Sequence, residues 1–567
     1  MRNKNSRLSR SARLLCLSVL ALPLIACNDD NSSDQVADPN AVSTTEGMVV
    51  GETVSGANSE DMRTWLGVPY AQSTAGPNRF EAPQPLPARS EALLATELGD
   101  ACPQTPDQSP FAIQSSNPGI DTSEDCLNLN IYSPAEGKNH PVIVWLHGGG
   151  LDTGAGAQSG GNPDRLVEQG IVVVTVNYRL GLLGYLAHPA LTARSTTSQP
   201  GSGNFGLMDQ IKALEWLQDN VANFGGDSSN VTVMGESAGG FSIKGLMAAD
   251  DRTDGLFHRA IIQSGPSLTQ ETLAEAETRG ATFMSGLCAN DASDEAAACL
   301  RNLSVAELLS AQAGTPAFDA SIIQRPGVLE RTVAVSLASG QFTGDQVLEG
   351  SNRDEWRLFV AAEQLVSQRQ SLESLIADDA DAYRAELIKR YAFVNESNAD
   401  VIVDLYPLSD FENADIAVSA VGTDPIFACP GLANISAAAQ HVPVYAYEFA
   451  DRNAPLPSPL FAAVQPALGA AHATEIPYIL ASAESVANDF SADSATLADA
   501  MLRHWASFAR NGDPNPSDGT LSMWSSFTDQ GYQSLQAPAT NSGTFSSVNA
   551  EGSTFAEDHK CSVWSPG

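Results

Sequence analysis

Lysine is nearly missing from this chain: six occur in 567 residues. Lys and Arg together number 30 against 67 Asp and Glu, a formal net charge of −37. So few cations cannot build the basic face on which phosphate recognition rests, which excludes nucleic-acid partners and disfavours other polyanions. Charged residues make up only 17% and no internal repeat is present, so coiled-coil, collagen-like and disordered classes are excluded as well. No Cys-x-x-Cys pair or tight Cys/His cluster occurs, which argues against a structural zinc site, and neither metal nor cofactor is expected. What remains is a loop-rich globular composition, 43% hydrophobic with 45 Gly and 32 Pro, long enough to bury a large core.

Arg2, Lys4, Arg7, Arg10 and Arg13 precede an apolar run from Leu14 to Ala26. That run falls short of the roughly 20 residues a membrane span needs, so it reads as an export signal. It ends Leu24-Ile25-Ala26-Cys27, which resembles the lipobox of bacterial lipoproteins and implies Cys27 as a lipid attachment point. The polar stretch that follows, to residue 45, lacks apolar periodicity and reads as a flexible tether. The expected organisation is therefore a lipoprotein signal peptide over 1–26, a tether over 27–45 and one domain over 46–567. Such a protein would be exported and held in the bacterial cell envelope, at the periplasmic face or the cell surface, touching membrane only through Cys27. Apart from Cys16 and Cys27, six cysteines remain: Cys102, Cys126, Cys288, Cys299, Cys429 and Cys561. An even set in an exported chain argues for disulfides, with the pairing open.

Continuous apolar runs at Val142 to Leu146, Ile171 to Val176, Val231 to Met234, Ala260 to Ile262, Gln346 to Leu348 and Val442 to Phe449 read as strands buried on both faces. Between them lie helical patterns: Leu207, Ile211, Leu214, Leu217, Val221 and Phe224 mark one stripe, and Thr496 to Arg510 forms another helix. This alternation predicts an α/β fold around a mostly parallel sheet, with sites beyond the carboxyl ends of the strands. No composition break after Thr45 marks a linker, so long insertions such as Leu268 to Phe318 and Trp356 to Asn413 belong to a single domain.

Directly after the strand Val231 to Met234 comes Gly235-Glu236-Ser237-Ala238-Gly239, a Gly-x-Ser-x-Gly sequence. A sharp strand-to-helix turn of this kind thrusts the serine out above the sheet, and its flanking glycines are needed because any Cβ would strike neighbouring backbone. A serine nucleophile requires a general base, and the tetrahedral intermediate requires fixed N–H donors. His147-Gly148-Gly149-Gly150 follows the strand Val142 to Leu146 and can present backbone N–H groups, with Ala238 as a further donor. The triad order in such folds leaves His441, His472, His504 and His559 as bases. His472 lies in the small-residue loop Gly469-Ala470-Ala471-His472, whereas the other three sit where a structural role is expected. After the strand Gln346 to Leu348, either Asp354 or Glu355 could orient the imidazole, and spacing does not choose between them.

These residues resemble the type-B carboxylesterase and cholinesterase family of α/β-hydrolases, which includes bacterial esterases of the para-nitrobenzyl esterase kind. Further marks are Gly67-Val68-Pro69-Tyr70-Ala71, Arg79-Phe80, Glu124-Asp125-Cys126-Leu127-Asn128-Leu129-Asn130, Asn204-Phe205-Gly206-Leu207-Met208-Asp209-Gln210 and Phe224-Gly225-Gly226-Asp227, so the likeness spans about Gly47 to Trp564. It implies an α/β-hydrolase fold, with a large twisted sheet flanked by helices and insertions forming a gorge. It also implies Ser237 as nucleophile, Glu355 as acid and His472 as base, with Gly149, Gly150 and Ala238 as the oxyanion hole. Glu236 and the Ser264 hydroxyl are expected around the triad. The disulfides implied are Cys102 with Cys126, Cys288 with Cys299 and Cys429 with Cys561. Two positions depart from the family's pattern: Trp356 follows the acid where a small residue is common, and Ala473 follows the base where Gly is usual. The expected activity is hydrolysis of small-molecule carboxylic esters through an acyl-enzyme. A lipase or polyester hydrolase with the same triad, and a non-catalytic binding protein such as the neuroligin branch provides, are the rival readings.

Overall fold

The apolar runs become one sheet. In the computed structural model, which describes residues 38–564 apart from 57–60, 105–120, 159–161, 196–200, 267–268, 315–317, 368–370, 377–378, 465, 528–531 and 538–553, ten strands pair side by side. Their order is Gln533–Leu535, Val444–Phe449, Gln346–Asn352, Arg259–Gln263, Gly226–Glu236, His140–Leu146, Val172–Val176, Asn128–Pro134, Asp61–Pro69 and Glu52–Ser55. The strands from Gln533–Leu535 to Val172–Val176 run parallel, and the last three join antiparallel. Side chains alternate across the sheet, and both faces are covered: Val142, Val144 and Leu146 enter one core while Ile143 and Trp145 enter the other. That double burial is why these strands read as unbroken apolar runs.

The strand His140–Leu146 lies between Val172–Val176 and Gly226–Glu236. Having built outward on one side, the chain crosses back over it and continues on the other. This is a topological switch point, and it opens a crevice beyond the carboxyl ends of His140–Leu146 and Gly226–Glu236.

The expected helix after Leu207 is Phe205–Asn220, prolonged by a 3-10 turn over Val221–Phe224, and the one near the C-terminus is Ala492–Asn511. Within the insertion that begins at Trp356, Val360, Tyr383, Leu387 and Tyr406 pack a separate core with Val418 and Val421 of the helix Ala414–Thr423. That helix runs on through a π turn, Asp424–Ala428, into Cys429–Ala438. Pro425 explains the widening: its ring would strike the carbonyl four residues back in a regular helix, and the wider turn relieves that crowding, with the Cys429 N–H donating to the Asp424 carbonyl.

The signal segment 1–26 and Cys27 lie outside the described residues. The folded unit begins at Asn40, earlier than the expected boundary at residue 46, because Ala41–Thr44 forms a strand antiparallel to Gly47–Val50 and buries Val42. A four-residue strand with one buried valine carries too little alternation to stand out from a polar tether.

Disulfides join Cys102 to Cys126, Cys288 to Cys299 and Cys429 to Cys561, the pairing that the resemblance implied. The last links residues 132 apart, against 11 for Cys288–Cys299. Loop-closure entropy then assigns about 5 kcal/mol to the long link and about 3 kcal/mol to the short one. Denaturant titration should show Cys561→Ala losing more stability than Cys299→Ala; equal losses would contradict this ranking.

Candidate active site

Ser237 stands at φ 55° and ψ −120°, between the strand Gly226–Glu236 and the helix Ala238–Ala248. Few non-glycine residues adopt such a conformation, and tight packing enforces it. A Cβ on Gly239 would lie 2.0 Å from the Leu146 carbonyl oxygen, and one on Gly235 would lie 2.7 Å from the backbone of Gly239. The glycines therefore allow the helix to close down on the neighbouring strand, and the Ser237 N–H is fixed by donation to the Gln263 carbonyl at 2.9 Å. The turn also places Ala238 at the first position of an 11-residue helix, where backbone N–H groups point outward.

The loop after His140–Leu146 meets this turn directly. A Cβ on Gly148 would lie 3.2 Å from the Ser237 Cβ and 2.7 Å from Glu236 Oε2. Gly149 and Gly150 adopt φ of 106° and 67°, and Thr153 closes the loop by donating its N–H to the Gly149 carbonyl. His147 braces the loop from behind: its ring stacks on Tyr178 at 4.3 Å, and the Tyr178 hydroxyl donates to the His147 carbonyl. Burial lowers the pKa of His147 to about 4, so it stays neutral.

Neighbouring elements carry the candidate acid and the candidate base. The strand Gln346–Asn352 leads into Glu355, whose Oε2 accepts from His472 Nδ1 at 2.6 Å and whose Oε1 accepts the Asn352 N–H at 2.7 Å. Asp354 turns elsewhere, pairing with Arg357 and Arg452 and accepting the Ala470 N–H. The structure thus separates the two candidate acids. His441 and His504 bond backbone carbonyls of Ala338 and Pro514, and His559 lies between Asp424 and Glu448. His472 alone of the four candidate bases holds Glu355.

Glu236 Oε1 approaches His472 Nε2 at 3.1 Å but is not aligned as a hydrogen bond. Nε2 of His472 makes no hydrogen bond among the described residues. Burial, then repulsion from Glu475 and Glu355, holds the Glu236 carboxyl well above the usual carboxylate range, with His472 pulling it down. At His472, burial works downward, but Glu236, Glu355 and Glu475 outweigh it and raise the imidazole pKa. Ser264 sits in the left-handed region with its N–H on the Gly350 carbonyl; its hydroxyl makes no hydrogen bond to Glu355 or His472.

Three groups at the site were not anticipated as part of it. Glu475 is fully buried and accepts from Asn352 Nδ2 and Gln263 Nε2. Phe427 and Phe359 pack on the His472 ring at 4.8 and 5.2 Å between centroids. Trp356 stacks on Phe359 at 4.3 Å and covers Gly422, while Ala473 takes φ 64° in the left-handed region where a glycine carries no strain. Among the described residues, no group of His, Cys, Asp and Glu is arranged to hold a metal ion.

Residues 38–564 match the Carboxylesterase family. Acylcarnitine hydrolase of Mus musculus is 33% identical, the alignment covering 82% of this chain and 81% of that protein. Para-nitrobenzyl esterase of Bacillus subtilis (strain 168) is 31% identical over 84% of this chain and 90% of its own, and fumonisin B1 esterase of Sphingopyxis macrogoltabida 32% over 91% and 88%. A solved structure of PNB esterase superposes with a TM-score of 0.73 at 27% identity, covering 93% of this chain and 100% of the other.

The carboxylates around His472 favour its protonated form. NMR titration of the eight histidines should place His472 above the ordinary value of about 6.5, with Glu236→Gln moving it downward. An unchanged or raised value in that variant would contradict the assignment.

Proposed function

Because the chain belongs to the carboxylesterase family and is a carboxylic-ester hydrolase, we propose that Ser237, His472 and Glu355 form its catalytic triad and that it works through an acyl-enzyme. The observation that carries this reading is the 2.6 Å bond from buried His472 to Glu355, set at the crevice where the Ser237 turn and the Gly148 loop meet.

In this mechanism His472 Nε2 takes the proton as Ser237 Oγ attacks the ester carbonyl. Glu355 holds the ring through Nδ1 and stabilises the imidazolium that forms. The N–H groups of Gly149, Gly150 and Ala238 donate to the carbonyl oxygen as negative charge develops on it. Proton transfer from Nε2 to the alcohol oxygen releases the alcohol, and water repeats the cycle on the acyl-serine to free the acid. The substrates are small-molecule carboxylic esters. The chain is further proposed to be an exported lipoprotein of the bacterial envelope, anchored through Cys27.

Hydrolysis of p-nitrophenyl acetate and butyrate tests the chemistry. Ser237→Ala should abolish turnover, with losses on the order of 10⁴-fold or more, and should end stoichiometric inactivation by an organophosphate. A folded wild-type chain that neither turns over nor inactivates would sink the proposal. The wild-type rate should rise with pH as His472 loses its proton, and a flat profile between about pH 5 and 9 would count against His472 as base. Metabolic labelling with palmitate should mark the wild type and not Cys27→Ser; label retained by the variant would refute the anchor.

A further inference from the structure

His559 is 4% exposed and faces a carboxylate from each ring nitrogen: Nδ1 lies 2.7 Å from Asp424 Oδ1, and Nε2 lies 2.9 Å from Glu448 Oε1. A neutral imidazole has one N–H and would set a lone pair against one of these oxygens, whereas the imidazolium satisfies both. Burial works against the charge, but Asp424 and Glu448 outweigh it and raise the pKa to about 10. Arg353 bonds the other oxygen of Glu448 at 2.7 Å and lies 3.9 Å from Asp558, so the carboxylates of the cluster face two cations.

The significance lies in what those carboxylates belong to. Asp424 opens the π turn Asp424–Ala428, and Cys429, immediately after the turn, is bonded to Cys561. The C-terminal segment thus grips both ends of one widened turn, through His559 at its start and Cys561 at its end. Phe427 lies between the two grips, with its ring on His472. A second hold acts on Asp424: its Oδ2 accepts from the Tyr406 hydroxyl at 2.6 Å, which in turn accepts from Trp564 Nε1 at 2.7 Å. On the other side Glu448 holds Arg353, two residues before the acid Glu355.

We propose that His559 is a positioning residue for ester hydrolysis: clamped between Asp424 and Glu448, it fixes the turn that presses Phe427 against the catalytic imidazole. This rests on the reading of Ser237, His472 and Glu355 as the triad. Pi turns gather at functional sites because a widened turn re-aims the side chains that follow, and here the re-aimed residue is Phe427.

A double-mutant cycle on the full chain tests the proposal. His559→Gln, Phe427→Ala and the double variant are compared for kcat and KM on p-nitrophenyl acetate and butyrate, with melting curves recorded for each. His559→Gln should lower kcat by about tenfold, as expected for a displaced imidazole contact, and should have less than about a twofold further effect once Phe427 is removed. A purely structural role would lower the melting temperature while the two kinetic losses multiplied, and that result overturns the proposal, as does an unchanged kcat in folded His559→Gln. Should His559→Gln fail to fold, Asp424→Asn takes its place in the cycle, since it keeps the backbone of the turn and the Cys429–Cys561 link. A folded wild type inactive on both esters would overturn the triad reading itself, whereas an active wild type with multiplying losses overturns this proposal alone.

Discussion

The crevice depends on one close approach, that of Gly239 to the carbonyl of Leu146. With no side chain in the way, the helix Ala238–Ala248 closes onto the strand His140–Leu146, and Ser237 is left at a backbone conformation that L-residues avoid. Such strain costs about 1–3 kcal/mol and persists only where surrounding structure over-determines it. Here the over-determination is visible in the glycines packed on backbone and in the Ser237 N–H bonded to Gln263 of the adjacent strand. The same approach brings the Gly148 loop against Ser237.

Charge is the second constraint. Glu236, Glu355 and Glu475 are all buried around one imidazole in a chain that is already strongly acidic. Burying carboxylates costs free energy unless hydrogen bonds and opposite charge offset it. Glu355 has His472 and a backbone N–H; Glu475 has the amides of Asn352 and Gln263. Glu236 Oε1 faces the imidazole without an aligned hydrogen bond, and burial holds the carboxyl well above the usual carboxylate range. The arrangement biases His472 toward the imidazolium.

Much of this was legible in the sequence, for physical reasons. Parallel strands covered on both faces leave continuous apolar runs, and the Gly-x-Ser-x-Gly turn and the Gly148 loop carry glycines where a Cβ has no room. The choice between Asp354 and Glu355 was not legible from spacing, because adjacent residues on a turn point apart, and only Arg357, Arg452 and His472 reveal which way each points. Phe427 and Phe359 were hidden because an aromatic in an apolar helix reads as core. His559 was recognisable as structural, but its partners lie 135 and 111 residues away in sequence, so the clamp on the turn carrying Phe427 exists only in the fold.

Ester hydrolysis by this chain is proposed to rest on Ser237 as the nucleophile that His472 activates. The most direct measurement is peptide mass spectrometry of the chain after reaction with a phosphonate ester, run beside His472→Asn. One adduct is expected, on Ser237, formed in the wild type and nearly lost in the variant. An adduct on any other residue, or equal labelling of Ser237 without the imidazole, would contradict it.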